Sequence, residues 1–212
     1  MGATLVIDTS APVVGVGLFG EGGERCFSER IARGAEVVLG RALHEMIDGV
    51  ELDLVVVTVG PGAFTSLRVG VAMALGVAQG RGCPVVEVSS LEARAARCDG
   101  GNRLALLDGR KKRAYAALFN ESGELVGEEL DIDPSEAIAL AKGAPFEAVG
   151  EGAEVWRDLV EAAGGVVIEN AAAPPLAELA RIGARRVAVE PEAVRLNYIR
   201  EPDAKKPKPG KR

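Results

Sequence analysis

The sequence is poor in aromatic residues, which fill 4% of its 212 positions although 48% are hydrophobic. A core must therefore be built from Val, Leu, Ile and Ala, which suits buried strands with helices packed on them. Histidine occurs once, at His44. That excludes a His-x-x-x-His metal pair and leaves any Ser-His-Asp arrangement a single possible base. His44 sits beside Arg41 and Asp48 on the polar side of a helical pattern and reads as a surface residue. No GxSxG elbow is present, so hydrolase chemistry finds no nucleophile–base pair. Cys26, Cys83 and Cys98 make neither an even-numbered disulfide framework nor a CxxC site, and the expected setting is a reducing cytoplasm. The longest apolar run, residues 54–78, is interrupted by Gly60-Pro61-Gly62 and Arg68, so no membrane span is expected. The chain opens directly on strand-like ATLVIDTS, so no secretory leader is expected either.

Charge is unevenly spread. Residues 204–212 (AKKPKPGKR) hold five Lys/Arg and no acid, so residues 1–203 carry −11 against −6 for the whole chain. A body that acidic is a poor stand-alone binder of nucleic acid. The basic end reads as a solvated, flexible tail.

The length allows one large domain or two small ones. The first stretch reads as a three-strand meander: ATLVIDT, VVGVGLF and, after Gly20-Glu21-Gly22-Gly23, ERCFSER. A helix follows, with Val38, Leu39, Ala42, Leu43, Met46 and Ile47 at helical spacing. Then come a strand over residues 53–59, a glycine-rich loop, a helix over about 66–80, a strand PVVEV and a short helix SLEARAARC. From CDGGN the pattern restarts: strands LALLD, AYAALF and 124–130, a helix opened by Asp133-Pro134, strand FEAVG, helix AEVWRDLVEAA, strand VVIE and a helix over 174–185. One plan is used twice. The expected division is an N-terminal lobe over 1–98, a smaller lobe over 99–200 and the tail over 201–212.

The loop VGPGAFTSLRVG, residues 59–70, follows a strand and precedes a helix, as phosphate-binding loops do. No lysine precedes Lys111, which rules out a Walker A loop here. Thr65 stands where a dinucleotide fingerprint would need its third glycine. GVGLFG at 15–20 matches that fingerprint by letter, yet a strand follows it, so it reads as a hairpin. Gly60 and Gly62 permit close backbone approach, Thr65 or Ser66 is placed to cap the next helix, and Arg68 lies one turn in. Anion binding and a purely structural turn both remain open on these residues. The helix carries two rows of small residues, Gly70/Ala74/Ala78 and Ala72/Gly76/Gly80. Interior glycines cost ~1 kcal/mol each, so close approach of another backbone is expected. It is either the chain's own sheet or preceding helix, or a helix of another subunit.

Asp8, followed by Thr9, and Asp108 each end the first strand of a lobe. In the actin, sugar-kinase and Hsp70 class, aspartates so placed manage Mg²⁺ and nucleotide phosphate. Here the glycines that would wrap phosphate are displaced or missing, which disfavours a working ATPase.

At this point IDTS (7–10), GPGAFTSLRVG (60–70), LLDGRKKRAYAALF (106–119) and NYIREPDA (197–204) together resemble the TsaB (YeaZ) family. The resemblance covers nearly the whole chain. It implies an α/β, actin-like (ASKHA, ribonuclease H-like) two-lobed fold with a reduced second lobe and no metal site. It implies a non-catalytic scaffold for threonylcarbamoylation of N6 of the anticodon-adjacent adenosine in tRNAs reading ANN codons. The implied partners are TsaD as a heterodimer, the ATPase TsaE, tRNA through the complex and a second copy when alone; the implied compartment is the cytoplasm. No intrinsic cofactor is implied, and ATP or ADP with Mg²⁺ is left open at the joint interface. On this reading Asp8, Thr9, Gly60, Gly62, Thr65, Arg68 and Asp108 are a degenerate anion site. Val38, Leu39, Ala42, Met46, Gly70, Ala74 and Ala78 are the partner surface. Two motifs depart from the family: Ser66 replaces a glycine, and Gly34-Ala35 replace a His-Ser pair. The competing readings are an active ATP-binding enzyme of the sugar-kinase class and, disfavoured, a peptidase.

Overall fold

A computed structural model describes residues 2–200, so the basic tail expected over 201–212 lies outside the described residues. The first lobe runs β1 (Ala3–Asp8), β2 (Val13–Gly20), β3 (Gly23–Arg30), α1 (Ala35–Ile47), β4 (Leu52–Gly60), α2 (Phe64–Arg81), β5 (Val85–Ser89) and α3 (Ser90–Ala95). Its sheet has the order β3-β2-β1-β4-β5, antiparallel through the meander and parallel from β1 to β5. The unbroken apolar run of β4 reflects cover on both faces. Val55, Val57 and Val59 join the core with α1 and α2, while Val56 points to the opposite core with Val6, Val86 and Val88. GVGLFG falls inside β2, as the hairpin reading expects.

The second lobe repeats the plan with β6 (Asn102–Asp108), β7 (Ala114–Phe119), β8 (Leu125–Ile132), α4 (Pro134–Ala139), β9 (Phe146–Val149), α5 (Glu151–Val155), α6 (Arg157–Ala162) and β10 (Gly165–Val167). The order β10-β9-β6-β7-β8 is the same path, with the first strand central. Asp133 caps α4 through Ser135 N, and Pro134 occupies the first turn. The single helix expected over 153–163 is two. Trp156 leaves helical geometry (φ −110°, ψ 30°) between Gly152, which presses on the Leu106 backbone, and the buried Val160.

Two elements tie the lobes together. The short α3 leaves the first sheet and packs Leu91 and Ala95 against Ala105, Leu107 and Ala117 of the second. The last helix, α7 (Leu176–Gly183), which sequence order assigns to the second lobe, returns to the first and lays Leu176 and Leu179 on Val6, Val56, Val86 and Val88.

The two small-residue rows of α2 meet different fates. Gly70, Ala74 and Ala78 are buried against the chain's own sheet, whereas Ala72, Gly76 and Gly80 are exposed. A Cβ at Gly70 would collide with the Thr9 side chain, 2.8 Å from Cγ2 and 3.0 Å from Cβ. At Gly76 and Gly80 it would meet nothing within 4 Å. Thr9 is buried and β-branched, so rotation about χ1 relieves little. Gly70→Ala is therefore expected to destabilise the chain by about 1–3 kcal/mol despite its better helix propensity. Gly76→Ala should stabilise it by up to ~1 kcal/mol. Urea-unfolding midpoints read both, and equal shifts would show that the two rows share one environment.

Candidate functional site

The ends of β1 and β6 face each other across a cleft, and Asp8 lies beneath its floor. Asp8 Oδ1 accepts from Ser10 N (3.1 Å), Ser10 Oγ (2.6 Å) and Thr58 Oγ1 (2.8 Å). Its Oδ2 meets Arg94 Nη2 at 3.1 Å, with both side chains at 0% exposure. Three donors crowd Oδ1, Arg94 holds Oδ2, and no part of the side chain is exposed. Asp8 so arranged presents no oxygen to Mg²⁺, a hard cation that binds through carboxylate oxygens and water. The residues do not fit a Mg·nucleotide held at this aspartate.

Arg94 comes from α3, whose start is capped by Ser89 Oγ accepting from Leu91 N (3.1 Å) and Glu92 N (3.4 Å). Its Nη1 donates to Ser90 O at 3.0 Å. Beside it stands Glu151, the first residue of α5. Glu151 Oε1 accepts from Asp108 N at 3.3 Å, and Oε2 is buried without a hydrogen bond among the described residues. Burial pushes the Glu151 carboxyl up to about 7, against the opposing pull of Arg94. Asp108 is half-buried, its Oδ1 accepting from Arg110 N (2.8 Å) and its Oδ2 3.6 Å from the Arg110 guanidinium.

The glycine-rich loop is fastened to its own chain. Gly60 has φ +115°, and a Cβ there would stand 2.5 Å from Asn197 O. Gly62 lies flat on Ser10, where a Cβ would come within 2.9 Å of Ser10 Cα, and Ala63 N donates to Ser10 O at 3.0 Å. That bond fixes Ala63 as the residue before the helix, so α2 opens at Phe64 with no side-chain cap. The expected cap at Thr65 or Ser66 is thus corrected; both lie inside the first turn. Arg68 sits over the Phe64 ring (3.8 Å to the centroid) and donates from Nε to Tyr198 Oη at 2.9 Å. Its job is aromatic stacking, and Thr9, also expected at the anion site, fills the space beside Gly70 instead.

Residues 197–200, the start of the NYIREPDA motif, strap the lobes together. Asn197 N donates to Val59 O (2.8 Å) and Asn197 Nδ2 to Glu129 Oε2 (2.7 Å), while Glu129 also accepts from Ser89 Oγ. Burial raises the Glu129 carboxyl, offset by those two hydrogen bonds. Arg200 reaches Asp131 through Nη2 (2.7 Å) and Nε and donates from Nη1 to Gly109 O (2.7 Å). The hydrogen bonds from Arg200 hold Asp131 below the usual carboxylate range. The cleft so bounded has a volume of about 410 Å³.

Of the residues expected at the site, Gly62 and Asp108 line the cleft and Asp8 is buried beneath it, while Thr9 packs on Gly70, Gly60 lies against Asn197, Thr65 is exposed and Arg68 faces the aromatic pair. Of those expected at a partner surface, Leu39, Ala42, Met46, Gly70, Ala74 and Ala78 are buried inside the lobe and Val38 is half-buried. Direct contact by the six is corrected: α1 and α2 spend those faces on each other and on the sheet. Sequence reasoning missed Arg94 and Glu151. Arg94 was signalled as a charge on the apolar stripe Leu91/Ala95/Cys98, and Glu151 by VGEG after β9, the counterpart of VGPG after β4.

Two outcomes follow from this floor. Arg94→Met leaves a buried carboxylate unpaired and should cost about 3–5 kcal/mol, whereas Asp8→Asn with Arg94→Met should cost far less than the summed single changes. Chemical denaturation of the four proteins gives the coupling; additive losses would mean the pair does not act as a unit. Folded Glu151 keeps its proton from about pH 4.5 to about 7, where the unfolded chain has released it. Stability should therefore fall across that window as pH rises, by as much as about 3 kcal/mol. Glu151→Gln should flatten this slope in unfolding curves taken between pH 5 and 8, and an unchanged slope would refute the assignment.

Comparison with known proteins agrees with this geometry. A family model described as TsaD, tRNA N6-adenosine threonylcarbamoyltransferase, matches residues 6–179. An uncharacterized Mycobacterium leprae protein is 32% identical over 219 residues, covering 97% of this chain, which spans only 56% of that protein's length. The Escherichia coli tRNA threonylcarbamoyladenosine biosynthesis protein TsaB is 29% identical over 189 residues, 82% of each chain. The solved structure of YeaZ from Pseudomonas aeruginosa superposes with a TM-score of 0.76 at 25% identity, over 93% of this chain and all of that one. A Bacteroides thetaiotaomicron protein with the actin-like ATPase fold matches at TM-score 0.50 and 9% identity over 85% of this chain and 96% of that one, a likeness of fold alone. With two sheets built on one repeated plan and a match over most of its length, the chain belongs to the TsaD family, on the branch of the TsaB (YeaZ) proteins.

Proposed function

We propose that this chain is a non-catalytic subunit in the biosynthesis of tRNA N6-threonylcarbamoyladenosine, working by docking to a TsaD-type partner through the outer faces of α1 and α2. The observation that carries the docking surface is the exposed row Ala72/Gly76/Gly80. Two glycines inside a helix cost ~1 kcal/mol each, and among the described residues a Cβ at either would meet nothing within 4 Å beyond the helix itself. Close packing of a helix from another subunit is the compensation that remains. Val37 of α1, at 72% exposure, extends the same kind of surface on the neighbouring helix.

The absence of catalysis is supported by the floor of the cleft. Asp8 is consumed by Arg94, Ser10 and Thr58, and the loop at 60–63 is fastened to Ser10 and Asn197. Both are features of a brace. The chain thus brings to the complex a shaped surface, while chemistry belongs to its partner. A TsaE ATPase, ATP or ADP with Mg²⁺ at the joint interface, and tRNA reached through the assembly complete the proposed setting in the cytoplasm. In the partner's absence the same face pairs two copies. No helix among the described residues is long and apolar enough to cross a membrane.

Size-exclusion chromatography with light scattering, on this chain alone and mixed with the TsaD protein of the same organism, tests the proposal. A heterodimer is expected, lost in Gly76→Arg while that variant keeps its thermal unfolding midpoint. Failure to associate with or without Mg·ATP would remove the scaffold role, and association undisturbed by Gly76→Arg would move the surface elsewhere.

A further inference from the structure

Six of the chain's seven lysines fall at one corner of the molecule or in the segment that leaves it: Lys111 and Lys112 between β6 and β7, and Lys205, Lys206, Lys208 and Lys211 after residue 200. Elsewhere the chain uses arginine as a fastener, as where Arg25 donates to Met46 O and Arg81 to Ile47 O. The β6–β7 turn reads Gly109-Arg110-Lys111-Lys112-Arg113, closed by Gly109 N donating to Arg113 O at 2.9 Å and Arg113 N to Arg110 O at 3.0 Å. Arg110, Lys111 and Lys112 are exposed, and all three take positive φ, 60°, 52° and 59°. Left-handed backbone is unfavourable for a residue with a Cβ, and glycine or asparagine eases it. Three consecutive cations are a poor choice for a turn that had only to connect two strands, since they also repel one another. Arg200 fixes where the chain leaves. Its Nη1 donates to Gly109 O at 2.7 Å and its Nη2 to Asp131 Oδ1 at 2.7 Å, an oxygen that Arg113 Nε also reaches at 2.9 Å. Residues 201–212, with five cations and two acids, therefore start from this turn.

We propose that the β6–β7 turn, with the basic segment that starts beside it, is a contact site for the phosphodiester backbone of RNA. Arg110, Lys111, Lys112, Arg113 and Arg200 stand here against Asp108 and Asp131. The corner is thus positive on a chain whose residues 1–203 carry −11. That contrast makes the contact local: acidic surface elsewhere repels a polyanion and leaves this corner as its point of approach. Lysine is a compact, hydrated charge on a flexible stem, suited to phosphate oxygens. Backbone contacts of that kind position a nucleic acid without reading its sequence. A row of phosphates matches cations spread along a turn and the segment after it better than one small anion does. Lys112 stands outside the set of residues that lines the inter-lobe cleft, so the contact does not depend on that cavity. The role of the relatives in tRNA modification favours RNA over an acidic protein as the polyanion. This inference rests on the scaffold reading and deepens it: the partner does the chemistry, and this chain holds part of the tRNA in place.

Lys111→Asn combined with Lys112→Asn tests it, because asparagine suits left-handed backbone and lets the turn keep its shape. The full chain, wild type or variant, is mixed with the TsaD protein of the same organism. Binding of a tRNA reading an ANN codon is then followed by fluorescence anisotropy from about 50 to about 200 mM salt, where each phosphate contact adds about 0.7–0.9 to the slope of log affinity against log salt. The variant is expected to bind more weakly at the lower salt with a slope shallower by about 1.5, so that its gap to wild type closes about eightfold by the upper salt. Light scattering on the same samples should show the variant pairing with TsaD as wild type does. Loss of pairing in the variant alone would make the turn part of the partner surface and overturn the proposal. If neither protein pairs, the scaffold reading fails, and the site is decided on the chain alone by amide NMR with an RNA stem–loop at about 50 mM salt. There, shifts are expected at Gly109, Arg110 and Lys112 and are lost in the variant; their absence overturns the site. Unchanged affinity and slope in the complex would do the same, since every phosphate contact would then belong to the partner. So would a loss seen only when Lys205, Lys206 and Lys208 are changed to asparagine. Equal NMR shifts with polyglutamate would assign the turn to an acidic protein instead.

Discussion

The buried pair between Asp8 and Arg94 joins the end of β1 to α3 at full burial, beside the apolar contact of Ala93 with Val6. Asp8 ends the central strand of the first lobe, and Arg94 belongs to the helix that carries the chain into the second. Removing two charges from water costs several kcal/mol per ion, and only good geometry with every remaining site satisfied repays it. Here Asp8 accepts from Ser10, Thr58 and Arg94, while Arg94 Nε is buried without a partner among the described residues, so the pair orients α3 more than it stabilises the fold. Once α3 is set, Leu91 and Ala95 fix how the second sheet approaches, and the cleft acquires its floor. An ordinary apolar contact would stabilise as much, yet it would not specify the orientation of α3 so narrowly.

Glycine does the complementary work of bringing backbones together. Gly60 and Gly62 let the loop after β4 lie on Asn197 and Ser10, while Gly150 and Gly152 let the start of α5 lie on Leu106. Gly70 lets α2 lie on Thr9. At each of these the missing Cβ has a reason inside the chain. Gly76 and Gly80 have none. That contrast, between glycines explained by the fold and glycines left over, separates the internal face of α2 from its exposed face better than hydrophobicity does. The exposed row is small rather than greasy, so it would escape a search for apolar patches.

Much of the architecture was legible because its signals are local. Alternating valines fixed the strands, the restart at CDGGN marked the second lobe, and Asp133-Pro134 opened a helix as read. The α7 helix was found but misplaced, since its partners Val6, Val56 and Val86 lie far back in sequence and periodicity carries no address. Both small-residue rows are legible in the sequence, but not which of them the fold buries. Deciding between them needs the direction of the helix relative to the sheet, which Thr9 sets through its contact with Gly70. Arg68 was read as an anion ligand because its stacking partner Tyr198 is 130 residues away.

The least legible residue, Glu151, was nevertheless written into the sequence as a repeat. The strand β4 runs into VGPG and its counterpart β9 into VGEG, and in both the first glycine takes positive φ, +115° at Gly60 and +101° at Gly150. The two loops therefore occupy equivalent places on opposite sides of the cleft. In the first the third residue is Pro61, which has no donor and adds an apolar wall. In the second it is Glu151, which adds an acidic floor. Equal backbones carry unequal side chains on the two sides of the cleft. The cleft is thus asymmetric by side chain on a symmetric frame, and that asymmetry is held open by the strap from Asn197 to Arg200, which binds Val59 on one side and Asp131 on the other.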